Sequence, residues 1–120
     1  MTPVTKQTFK EALQFVRVDG RVRVRYTSNL TAFCRKAGAP FDEVWSRAQI
    51  RNVSAGGICL RLRRHFEPNA AITIEPPQTK HGLDRLLEAR VVYANEDDGY
   101  WIIGCEFSRL LNPDEVQHLL

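Results

Sequence analysis

Apolar and polar residues alternate through much of this chain, and the period departs from two mainly near the ends. Over residues 6–17, Phe9, Ala12, Leu13 and Val16 recur at helical spacing, and Thr8 and Glu11 fit a capping box. The pattern predicts an N-terminal helix that stops near Asp19-Gly20, a turn dipeptide. "RVRVRY" comes next, where Val22, Val24 and Tyr26 alternate with Arg21, Arg23 and Arg25 at the period of a half-buried strand. Alternation lapses over 28–43, which reads as an insertion with a short helix near 29–36, closed by Gly38 and Pro40. It returns in "VWSRAQIRNV", "GICLRLRR", "AAITIEPP", "LLEARVVYA" and "YWIIGCEF", five further predicted strands. Their inward positions include Ile50, Leu60, Leu62, Val91, Tyr93, Trp101, Ile103, Cys105 and Phe107. "EDDG" supplies an Asp-Gly hairpin turn between the last two strands. In the closing "NPDEVQHLL", Asn112 is a good N-cap, Pro113 takes the first helical position and Glu115 completes a capping box.

Six short antiparallel strands, each with one apolar face, predict a mainly β fold. Closure removes exposed strand edges, so the expected architecture is a small six-stranded antiparallel β-barrel with N-terminal and C-terminal helices. A length of 120 residues suits one domain. We divide it into a helix and Arg-containing segment over 1–20, a barrel over 21–110 with its insertion at 28–43, and a C-terminal helix over 111–120. Two capped terminal helices are consistent with a standalone domain, and "HLL" covers the barrel mouth or meets another copy.

Charge changes the picture. Residues 1–65 hold 13 Lys/Arg against 4 Asp/Glu, whereas residues 66–120 hold 4 against 10. A basic half beside an acidic half suggests an anionic partner for the first. No apolar run is long enough to span a membrane, and "MTPVTKQTFKEALQF" lacks the apolar core of a secretory signal. Cys34, Cys59 and Cys105 are widely spaced and odd in number, which fits reduced thiols in a cytoplasmic protein better than a disulfide framework or zinc site. His65, His81 and His118 neighbour no cysteine at ligand spacing. With no nucleophile elbow, Walker loop, metal-spaced set or convincing carboxylate pair, the chain is not expected to be an enzyme or to carry a metal or cofactor.

The chemistry concentrates in "RNVSAGGICL". Asn52 and Ser54 share a face if the strand continues through them, and Gly56 and Gly57 let backbone approach a ligand. Asn52-x-Ser54-x-x-Gly57, preceded by Arg17-Val-Asp-Gly-Arg21 and the overlapping Arg21-Val-Arg-Val-Arg25, resembles the signature of PilZ domains, bacterial receptors for cyclic diguanylate (c-di-GMP). "AQIRNVSAGGICLRL" resembles that family's second and third strands. "LEARVVYANEDDGYWIIGCEFSRLLNPDEVQHLL" resembles its closing hairpin and helix. Placing Arg17 second in the arginine pair would put Leu13 first, and Leu13 cannot do the job. Arg17 and Arg21 are therefore taken as the pair, on the premise that Asp19-Gly20 holds both outside strand backbone, with Arg25 as a third clamp.

The resemblance implies a c-di-GMP receptor in the bacterial cytoplasm, with Arg17, Arg21, Arg25, Asn52, Ser54, Gly56 and Gly57 as ligand-binding residues. Arginine can pair bidentately with guanine, clamp phosphate and stack on a base, while Asn and Ser supply an amide and a hydroxyl. Ligand binding is expected to order the arginine segment, move the N-terminal helix and present a new surface to a protein partner. Two alternatives stay open: a PilZ-like interaction module without the nucleotide, and a basic barrel binding nucleic acid, less expected because exposed aromatic platforms are missing. Arg21, Arg23 and Arg25 also suit the plain solvated face of a strand.

Overall fold

The computed structural model describes residues 14–18, 21–77 and 85–120. The strands among them are β1 (Gln14–Val18), β2 (Arg21–Thr27), β3 (Thr31–Lys36), β4 (Ser46–Val53), β5 (Gly57–Leu62), β6 (Ala71–Glu75), β7 (Leu87–Asp97) and β8 (Tyr100–Phe107). A short helix, α1 (Pro113–Gln117), comes after them. Antiparallel pairing runs β4-β3-β6-β7-β8-β5, and β5 pairs back onto β4. Six strands thus close a ring, which leaves no ladder edge within the wall.

The expected strand count is right, but one member differs. The stretch read as an insertion over 28–43, with a short helix, contains wall strand β3. Its inward residues are Ala32 and Cys34, both fully buried, and such short side chains carry a weak apolar signal. "RVRVRY", expected in the barrel, instead forms β2 of a hairpin with β1. Among the described residues its ladder to the ring is the pairs Tyr26↔Val53 and Thr27↔Asn52, and Tyr26 packs against the core. The N-terminal helix expected over 6–17 is also corrected, because Gln14–Arg17 lie in β1. Residues 6–13 fall outside the described residues, as do Asp19 and Gly20. Alternating charged and β-branched residues pair well as an extended hairpin, and that ladder overrides the helical spacing of Val16 and its neighbours.

Inside the ring, Ile50, Leu60, Leu62, Ile72, Ile74, Val91 and Ile103 pack with negligible exposure. Leu111, Val116 and Leu119 join the same cluster from the C-terminal segment. Leu111 N donates to Ala55 O at 2.8 Å and Ser28 Oγ donates to Leu119 O at 2.7 Å. These bonds fix α1 at the barrel end that carries the β4–β5 turn. The capping box forms as expected, with Glu115 N donating to Asn112 Oδ1 at 2.8 Å and Asn112 N to Glu115 Oε1 at 2.9 Å. Glu115 is buried, and its carboxylate also accepts from Arg109 at 2.6 Å and pairs with Arg85.

Removing that carboxylate leaves the Asn112 N–H and two arginines without their acceptor. Glu115→Ala should lower the unfolding free energy by about 2 kcal/mol, combining a lost cap with a lost charge-assisted bond. Urea denaturation should show the midpoint falling at unchanged slope.

Candidate functional site

Residues 50–57 do not continue as a regular strand. The register passes from Ile50↔Leu60 to Asn52↔Cys59, so Arg51 is an extra residue in β4. This bulge turns Asn52 to the outer surface and Val53 inward. β4 ends at Val53, so Ser54 does not share a strand face with Asn52. It enters a turn in which its N–H donates to Gly57 O at 2.9 Å and its buried hydroxyl accepts from Gly56 N at 3.3 Å. Gly56 O accepts from Phe107 N at 2.9 Å, tying the turn to the end of β8. At Gly57 a Cβ would collide with the backbone carbonyl oxygen of Cys105. Close packing of β5 on β8 therefore demands this glycine.

A second bulge lies in β7, where Val91↔Cys105 is followed by Tyr93↔Gly104. Val92 is the extra residue, and Tyr93, expected in the core, is 39% exposed on the outer wall. The two bulges fall on one cross-strand row, because Thr27 pairs with Asn52, Asn52 with Cys59, Cys59 with Gly104 and Gly104 with Tyr93. Gly104 has no Cβ, and the Tyr93 ring occupies the space where one would stand. The ring reaches across to Cys59, with Oη 3.8 Å from Sγ. Beneath Tyr93, Cys59 is only 6% accessible although it lies on the outward face of β5.

Burial and then Cys59 push the Tyr93 phenol above its usual pKa, while the Arg25 guanidinium pulls it back down. Arg25 of β2 thus acts electrostatically on the row's far end. Arg17 sits in β1 opposite Val22, and Arg21 in β2 opposite Val18. The premise that this pair lies in non-strand backbone is overturned. Because the first wall strand is β3 and not "RVRVRY", the residues from Tyr26 to Leu30 form a lead-in after Arg25.

Desolvation pushes the Cys34 and Cys105 thiols up to about 12, which leaves them as neutral core side chains. No cluster of three His, Cys, Asp or Glu suited to a metal occurs among the described residues. No helix among them is long and apolar enough to cross a membrane.

The family model of the PilZ domain matches residues 14–120. The chain belongs to the PilZ family. Comparison with curated proteins returned no match. PilZ domains are binding and adaptor modules, in general for c-di-GMP, and not enzymes. In this PilZ domain the outer wall brings Asn52 and Tyr93 to one row, with Arg25 acting on it from β2. Tyr93 escapes a reading by alternation, since that reading assigns it to the core. The available signal was Gly104 in "YWIIGCEF", a missing side chain in an apolar strand that marks close approach by a neighbour.

Gly57→Ala should destabilise the barrel by about 1–3 kcal/mol through overpacking, whether or not any ligand is present. A thermal melt that matches the wild type would remove the glycine from this packing role.

Proposed function

We propose that this PilZ domain is a c-di-GMP receptor whose ligand docks on the outer wall, between the β1–β2 hairpin and the row that ends at Tyr93. The observation carrying this reading is that Arg25, Asn52 and the Tyr93 ring belong to one surface. Arg21 and Arg25 are assigned the phosphate and guanine-edge contacts, where a planar guanidinium offers bidentate bonds. Asn52 offers an amide to the second base or to a phosphate oxygen, and Tyr93 offers a ring face for stacking. Ser54, Gly56 and Gly57 act mainly by holding the turn, because the Ser54 hydroxyl already accepts from Gly56 N. Arg17 lies across the hairpin from Val22 and is assigned a supporting charge.

The mechanism is an ordering switch. Among the described residues the hairpin's ladder to the ring is two pairs long, Tyr26↔Val53 and Thr27↔Asn52, with Tyr26 also packed against the core. A ligand bridging Arg25 and the wall adds contacts that exist only when the hairpin is docked, which shifts its equilibrium toward that state. A protein partner then reads the changed surface. The structural use of Ser54 and Gly57 supports a second reading, a PilZ module that retains those residues for folding and binds its partner without nucleotide.

Isothermal titration with c-di-GMP separates the two. The receptor reading expects saturable binding by the wild type, reduced on the order of tenfold to a hundredfold by Arg25→Ala, the equivalent of about 1.5–3 kcal/mol for a charged hydrogen bond. Tyr93→Ala should weaken binding as well, with the fold monitored by circular dichroism. A wild-type protein that takes up no c-di-GMP at physiological salt rules out the receptor and leaves the interaction module.

A further inference from the structure

Farther along the same wall, a groove of about 670 Å³ opens over β4, β5 and the start of β8. It is lined by Arg47, Arg61, Arg63 and Arg64 together with Gln49 and Tyr100. Arg47 lies five residues from Asn52 along β4, roughly 16 Å at the rise of a strand, and Arg63 lies four residues beyond Cys59, so these two arginines stand away from the row at Tyr93 while Gln49 and Arg61 line the side nearer to it.

Four guanidinium groups share this space, and only part of their charge is compensated. Arg64 pairs with Glu43 at 3.3 Å, and Arg61 meets Asp97 at a loose 3.9 Å. Arg47 is exposed, and its side chain makes no ion pair or hydrogen bond among the described residues. Arg63, also exposed, donates to the Tyr100 hydroxyl at 3.2 Å and has no carboxylate partner among them. Arg47 and Arg63 flank the Ala48–Leu62 pair on neighbouring strands, and like charges placed across a ladder cost stability. A positive local potential also shows in the Tyr100 phenol, whose pKa is lowered chiefly by Arg63.

We propose that this groove is a second anion site that binds a short chain of linked phosphates, either free or as the tail of a nucleoside polyphosphate. A single phosphate can engage Arg47 and Arg63, whereas a linked chain can also reach Arg61, whose contact with Asp97 is loose, and so engages more of the groove. Tyr100 is not available as a base platform, because Arg61 lies 3.7 Å and Arg63 4.8 Å from its ring centroid. Recognition therefore runs through phosphate and not through a stacked base.

Titration of the full chain with tripolyphosphate at physiological ionic strength tests this. Saturable binding is expected, with the Tyr100 phenol, followed by ultraviolet absorbance, titrating at higher pH once the site is filled. Arg47→Glu with Arg63→Glu should weaken binding by about tenfold or more. The milder Arg47→Gln with Arg63→Gln should weaken it in the same direction if charge reversal perturbs the fold. Both pairs should leave c-di-GMP titration as it is in the wild type, so failure of the receptor reading and failure of this one are told apart. A nucleoside triphosphate that binds more tightly than tripolyphosphate would identify the nucleotide as the source, and equal affinity would identify the phosphate chain alone. The proposal is overturned if tripolyphosphate does not saturate, if the neutral double variant binds unchanged, if the substitutions abolish c-di-GMP binding, or if an oligothymidylate binds more tightly.

Discussion

A closed barrel forces each wall side chain to face either a packed interior or the outer surface. Successive residues alternate between the two, and Arg51 and Val92 interrupt that alternation. Each adds one position to a strand, and each reverses the facing of the residues after it. Asn52 and Tyr93 reach the outside by this device, and Val53 reaches the core. The bulges sit on one cross-strand row, so their effects converge on a single patch of wall. Without them Tyr93 would fill the interior, Cys59 would lie open and Gly104 would have no ring to accommodate.

The packing of the wall and the shaping of the surface use the same residues. Gly57 is demanded by the Cys105 carbonyl, and Gly104 by the Tyr93 ring. Ser54 closes its own turn, and that turn anchors both the end of β8 and the segment that leads to α1. A substitution in this region therefore changes stability and surface together. Arg25 and Tyr93 are better probes of binding, since each is partly exposed and neither closes the turn.

The uneven charge along the chain has a structural counterpart. Carboxylates of the acidic half serve local needs: Glu115 holds Arg85 and Arg109, Glu106 holds Arg90, and Glu88 accepts from Thr73. Several arginines of the basic half have no such partner among the described residues. Arg47 and Arg63 face one groove, and Arg25 acts on the row at Tyr93. Exposed ion pairs contribute little to stability, so these cations matter more for what they attract than for how the domain is held.

Much of the wall was legible because its signal is local. Alternation in "GICLRLRR" and "YWIIGCEF", the Asp-Gly turn and the Asn112–Glu115 capping box each depend on residues a few positions apart. The order of Asn52, Ser54 and Gly57 behind paired arginines was likewise enough to suggest the family. The features that the chain alone did not reveal are set by pairing between distant segments. β3 carries Ala32 and Cys34 inward, side chains too small to announce a strand, and it is a strand because β4 and β6 supply its ladders. Whether "RVRVRY" joins the ring or stands as a hairpin depends on which strands occupy the two edges of β4, and β3 and β5 hold them. A one-residue bulge leaves no mark in its own strand, because it exists only as a mismatch between two strands, and the one hint of it here, Gly104, stands in the neighbouring strand. Tyr93 therefore changed from core residue to surface residue once β7 was laid against β8.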